Sequence, residues 1–244
     1  VATTTRKIQL VCLLIASIAL PARATPAPVT ESPPVVAHVE TVAVWTPIKP
    51  PRDSDATATL RNALRREVLK TIVLTPERQA AVIARALQVT EANHMVIDRP
   101  QLLLAVDRNP AVQEIHMVLA RPDGEQWEII GSTHVSTGKP GRREHFKTPI
   151  GVFLNDASIL GYRAEGTYNE NGVRGLGVHG MRVWDFGWQT TENWRTAGAT
   201  TQIRLEMHAT DPTILEPRIG RPDSEGCVRL PAAFNRFIEH YGII

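Results

Sequence analysis

Ser224-Glu225-Gly226-Cys227-Val228-Arg229 follows Met207-His208-Ala209-Thr210, with His208 nineteen positions before Cys227. Ile203–His208 has the composition of a β-strand, and Asp211-Pro212, Glu216-Pro217 and Gly220-Arg221-Pro222 mark the loop between the two segments. A strand end and a tight glycine turn can be brought together by such a loop. A free thiol with a pKa near ~8.5 is mostly protonated at neutral pH, so a nucleophilic cysteine needs a base, and histidine is the natural one. Gly226 lets the backbone turn tightly. Arg229 brings a positive charge that favours a thiolate or grips a carboxylate. The competing reading is a buried cysteine acting as a small hydrophobe.

The other cysteine, Cys12, lies in an apolar run from Ile8 to Leu20 that follows Arg6 and Lys7. With Ala22-Arg23-Ala24 as a small-x-small cleavage site, residues 1–24 read as a secretory signal, the alternative being an uncleaved membrane anchor. Its removal leaves Cys227 as a lone thiol, unable to form an internal disulfide. The whole chain carries a formal charge of +2, but the leader holds three basic residues and no acid, leaving 24 basic against 25 acidic side chains. The charge gives no case for nucleic-acid binding. The expected location is the periplasm or cell envelope.

Residues 25–56 are rich in proline and read as an extended linker. Leu60, Leu64, Val68 and Ile72 then recur at four-residue spacing, and Thr75-Pro76-Glu77 forms a helix start with an N-cap and a proline at the first position. A helical hairpin is expected over 57–93, packed on itself or on the main domain. Strands are expected at His94–Ile97, Leu102–Val106, Ile115–Leu119, Trp127–Val135, Ile150–Leu154 and Ile203–His208, with a helix between Val228 and Ile244. These make residues 94–244 a mainly β domain. The βαβ alternation and glycine-rich fingerprint of nucleotide-binding folds are absent from the sequence.

The run from His208 to Arg229 resembles the catalytic segment of the YkuD-type L,D-transpeptidases of bacterial cell walls. Val135-Ser136-Thr137-Gly138-Lys139 and Thr148-Pro149-Ile150-Gly151-Val152-Phe153 are similar to two further family segments, in the same order. The resemblance covers roughly residues 94–244. It implies a β-sandwich or barrel and a thioester mechanism on peptidoglycan stem peptides, without cofactor or metal. Cys227 would be the nucleophile and His208 the general base, oriented by the backbone carbonyl of Ala209. Backbone N–H groups at Gly226 and Cys227 would hold the oxyanion, Arg229 would bind a stem carboxylate, and Ser224 would fix the turn. The chain departs from the family at Glu225, where histidine is usual, and at Ala209, where glycine or serine is usual. A carboxylate beside the thiol raises its pKa; a carbonyl is supplied by any residue.

His179, in Gly177-Val178-His179-Gly180, is the rival base and a substrate-binding candidate. A zinc site of His179, His208 and Cys227 lacks a short-spacing ligand pair. Residues 155–202 carry many glycines with Tyr162, Tyr168, Trp184, Phe186, Trp188 and Trp194, and read partly as core and partly as a lid, with Trp184 against the substrate. Arg174, Arg182 and Asp185 are candidates for the zwitterionic end of a stem. Within the enzyme reading, water competes with an amine for the thioester, so an L,D-carboxypeptidase is the alternative to a transpeptidase. An inactive wall-binding protein is the alternative outside it.

Overall fold

The computed structural model describes residues 11–15 and 53–244, apart from 123–125, 156–157, 160, 195 and 197. In chain order the elements are β1 (Val11–Ile15), α1 (Asp53–Glu67), β2 (Thr71–Ile72), α2 (Pro76–Ala92), β3 (Gln101–Asp107), β4 (Glu114–Ala120) and β5 (Glu128–His134). There follow β6 (Gly151–Leu154), β7 (Tyr162–Arg163), β8 (Arg182–Glu192), β9 (Thr200–His208), β10 (Val228–Arg229) and α3 (Ala232–His240). The strands form two mostly antiparallel sheets, ordered β2-β5-β4-β3-β1-β6 and β10-β9-β8-β7, so the fold is mainly β.

The unbroken apolar run in β3 has a direct cause: both faces of its sheet are covered. Leu104 and Val106 face a core shared with Trp184 and Phe186 of β8, Leu205 and Met207 of β9, and Phe234, Phe237 and Ile238 of α3. Ala63 and Leu64 of α1 enter the same core. Leu103 and Ala105 point the other way, into a second core with Ala86 and Val89 of α2. The two N-terminal helices therefore lie on opposite faces of the larger sheet, with β2 pairing against β5 at its edge between them. Thr75 caps α2, its hydroxyl accepting from the Arg78 N–H at 3.3 Å, and Pro76 opens the helix.

The strands expected from Leu102, Ile115, Trp127, Ile150 and Ile203 onward are all present. His94–Ile97 is not a strand. There the chain leaves α2 through Asn93, with His94 at φ 53° and Met95 N–H bonded to Thr90 O. The longest strand among the described residues, β8, falls in the glycine-rich aromatic segment read partly as core and partly as a lid. Its sequence pattern is interrupted by a bulge between Asp185 and Trp188, where Gly187 adopts φ 75° and its N–H donates to Asp185 Oδ1 at 2.8 Å. Of the expected leader, only residues 11–15 are described, and they form β1, parallel to β3 and antiparallel to β6. The proline-rich segment lies outside the described residues, except for 53–56, which open α1.

Candidate active site

β10 lies parallel to β9, with Arg229 opposite His208 and Val228 opposite Met207. This register brings the cysteine turn alongside the end of the histidine strand. The segment 136–139 runs along the other side of the turn. Ser136 and Arg229 exchange backbone hydrogen bonds at 3.0 and 2.8 Å, and Lys139 N–H donates to Ser224 O at 2.8 Å. Thr148 joins the two: its Oγ1 donates to Gly226 O at 2.7 Å and accepts from Gly138 N–H at 3.0 Å. Phe146 N–H adds a bond to Glu225 O at 3.2 Å. The three motifs that stand apart in the sequence thus share one hydrogen-bonded cradle. A side chain at Gly138 would put its Cβ 1.9 Å from Phe146 O, which explains why that position holds glycine.

Inside the turn, Ser224 Oγ accepts from Gly226 N–H at 3.1 Å and donates to Cys227 O at 2.6 Å. Gly226 adopts φ 139°, a conformation that favours glycine, and a Cβ there would meet Ile203 Cδ1 at 2.7 Å. Ser224 fixes the turn, as its position suggested. In doing so it occupies the Gly226 N–H that the sequence reading offered to an oxyanion.

His208 is 4% exposed and its Nδ1 lies 2.5 Å from Ala209 O. A carbonyl only accepts, so Nδ1 carries the proton and Nε2 is the basic nitrogen. Burial lowers the His208 pKa to about 4; the Ala209 carbonyl opposes this and Arg229 adds to it. Burial also dominates at Cys227, pushing the thiol up to about 12. The Glu206 carboxylate pushes the same way; the Glu206 backbone N–H and the Arg229 guanidinium oppose it; adjacent Glu225 contributes least. At neutral pH the cleft therefore holds a thiol and a neutral imidazole; the Cys227 Sγ donates to Arg204 O at 3.7 Å, and no hydrogen bond joins it to the His208 ring among the described residues. Arg229 favours the thiolate, as expected, but is outweighed.

Cys227, His208, Ser224 and Arg229 line one cleft of about 550 Å³. Its rim includes Arg142, Arg218 and Glu225, and its far wall comes from Asn169 to Leu176. Asp211 anchors that wall by accepting from Arg174 N–H at 3.1 Å while binding Thr213 and Ile214 N–H groups at 3.0 and 2.8 Å. Burial alone would raise the Asp211 pKa, but these N–H groups and the Thr213 hydroxyl hold it down at about 2. Of the segment 155–202, residues 169–176 reach the cleft, whereas β8 puts Trp184 and Phe186 into the core.

Several expected residues lie elsewhere. Trp184 is 1% exposed in the main core, where its ring packs between sheets, and it does not line the cleft. His179 is exposed, with Nδ1 3.1 Å from Glu165 O, and is also outside the lining. Arg174 lies over the Tyr168 ring, and Asp185 is held by Arg204 at 2.6 Å. Arg182 opens β8 outside the lining.

The sequence reading missed Asp223 and Glu206. Asp223 is buried and gathers Arg218 at 2.6 Å, Lys139 at 3.6 Å and Arg229 at 3.7 Å, which ties the first motif to the guanidinium beside the thiol. Glu206 lines the cleft two residues before His208, and Tyr162 donates to its Oε1 at 3.0 Å. Strand period alone places Glu206 and His208 on one face of β9, and that signal was available in the sequence. Compared with known proteins, the chain matches no family model and no curated protein.

Proposed function

We propose that this chain is a cysteine acyltransferase of the YkuD L,D-transpeptidase type, acting on peptidoglycan stem peptides in the cell envelope. The observation that carries the reading is the cradle: three separated motifs converge on a cysteine turn beside a histidine whose Nδ1–H is fixed by a backbone carbonyl. That arrangement suits nucleophilic catalysis with His208 Nε2 as general base. Because thiol and imidazole are both neutral at rest, the proton leaves Cys227 for His208 as the sulfur attacks. The target is the carbonyl of the third-position diamino acid of a tetrapeptide stem. The terminal D-Ala departs with the proton from His208, leaving a thioester on Cys227. An acceptor amine then resolves the thioester into a cross-link. With Gly226 N–H held by Ser224, we assign the Cys227 N–H as the oxyanion donor on this turn. Arg229 and Arg218, anchored by Asp223, supply the charge for a stem carboxylate.

The test is mass spectrometry after incubation with disaccharide-tetrapeptides. Cross-linked dimers that have lost D-Ala are expected. Trimmed monomers alone would make the chain an L,D-carboxypeptidase, and unchanged substrate with an unmodified Cys227 would leave a wall-binding protein. Cys227→Ala is expected to abolish the acyl adduct, and His208→Gln to slow its formation by ~10²-fold or more, the scale of general-base catalysis. His179→Ala is expected to retain activity, because that ring lies outside the cleft.

A further inference from the structure

Glu206 is a carboxylate placed beside a nucleophile it disfavours. It stands opposite Asp185 across the β8–β9 pairing, so two acids face each other on neighbouring strands. Asp185 is neutralised by Arg204, through both Nη2 at 2.6 Å and Nε at 2.8 Å. Glu206 makes no ion pair among the described residues. Its one side-chain partner is the Tyr162 hydroxyl, at 3.0 Å, which orients the carboxylate without supplying charge. Glu206 is half-buried, with the Arg204 charge acting on it from a distance and the cleft as its open side.

We infer that Glu206, oriented by Tyr162, is the acceptor-amine site: it binds the primary ammonium of the incoming stem and takes its proton as the nitrogen attacks the thioester. This rests on the transpeptidase reading above. The chemistry requires such a group. An alkylammonium with a pKa near 10.4 is neutral in only on the order of one molecule in 10³ at pH 7, and the mechanism proposed above already commits His208 to the proton of the thiol. Burial, with the nearby Asp185 charge, raises the Glu206 pKa and so strengthens it as a proton acceptor, against the Tyr162 hydrogen bond and Arg204. In the step, the ammonium gives one proton to Glu206. The nitrogen lone pair forms the C–N bond at the thioester carbonyl, and a second proton passes from nitrogen to His208. The C–S bond breaks as the tetrahedral oxyanion collapses, and the sulfur takes its proton from His208. Glu206 then releases its proton to solvent. The sum is thioester plus ammonium giving amide, thiol and one proton.

The site explains why a nucleophile would tolerate an acid beside it. The carboxylate opposes ionisation of the resting thiol, but once the thioester has formed the sulfur is neutral and the carboxylate serves only the amine. Glu206→Gln therefore has two effects of opposite sign, which a folding defect does not produce. Iodoacetamide is expected to alkylate Cys227 several-fold faster at pH 8, because the repulsion on the thiolate is gone. The KM for the acceptor stem is expected to rise at least tenfold, and the ratio of dimers to trimmed monomers to fall by as much. Glu206→Asp is expected to recover part of the acceptor KM. An unchanged acceptor KM in Glu206→Gln, or a rise in donor KM alone, would overturn the assignment. Absence of any donor thioester in the wild-type chain would overturn the transpeptidase reading instead, and the inference with it.

Discussion

Thr148 lies outside the lining of the cleft, yet its side chain ties two of the three motifs together. Its hydroxyl satisfies the Gly226 carbonyl and the Gly138 N–H together, two backbone groups from segments 88 positions apart in the sequence. Thr148→Val preserves shape and removes both bonds. The expected loss is about 2 kcal/mol, since two buried groups lose their partner, measured as a lower urea midpoint with an unchanged m-value. Acylation should slow as the turn loosens, and Thr148→Ser should restore both. At this scale the sequence was legible in the placement of the motif residues. Cys227, His208, Ser224 and Arg229 stand in one cleft as their motif suggested. Trp184 was misplaced because a ring in a glycine-rich stretch gives no periodicity to separate core from cleft. Asp223 was hidden because its role depends on Lys139, brought near only by the folded chain.

Among the elements, α1 and α2 show most clearly what local pattern conveys and what it omits. Their helical spacing, the Thr75 cap and Pro76 were all readable. Their destination was not, because an apolar stripe states that a surface is covered without saying by what. Only the run Leu102–Val106, apolar on both faces, hinted that two layers had to cover one strand. Since Leu64 of α1 is 1% exposed within the core that also holds Leu205 and Phe234, that helix is part of the same folding unit as the site. Leu64→Ala should cost about 2–5 kcal/mol and lower a single melting transition, reported alike by far-UV circular dichroism and by alkylation of Cys227. A separate early transition for α1 would show it to be an appendage. The strand signal of β8 was in fact present, since Trp184-Asp185-Phe186-Gly187-Trp188 alternates apolar with polar or small residues; what the sequence does not show is the bulge, beyond which Trp188 is 65% exposed while Trp184 and Phe186 stay in the core.

For the molecule as a whole, two buried histidines set the response to acid. His208 and His116 are held at about 4 and about 3 by burial. His116 bonds Ser132 Oγ at 2.8 Å through Nδ1, while its Nε2 has no hydrogen-bond partner. Both folded values lie below the unfolded value of about 6.5, so the unfolded chain binds more protons between them. The stability this contributes is complete above pH 6.5 and is lost as the pH falls toward 4 and then 3. The slope approaches about 2.7 kcal/mol per pH unit for the two groups together. Urea midpoints at pH 7, 6 and 5 should fall in that order, and His116→Gln should roughly halve the slope. The elevated thiol pKa has a consequence of another kind. Oxidants, like electrophiles, attack thiolates. In the unfolded chain Cys227 has an ordinary pKa near 8.5 and is open to sulfenic acid formation and mixed disulfides. Folding lifts that pKa to about 12 and reduces the thiolate on the order of 10³-fold. The folded chain is therefore the form expected to resist oxidation: although Cys227 is partly exposed, peroxide at pH 8 should consume its thiol more slowly in the native protein than in urea.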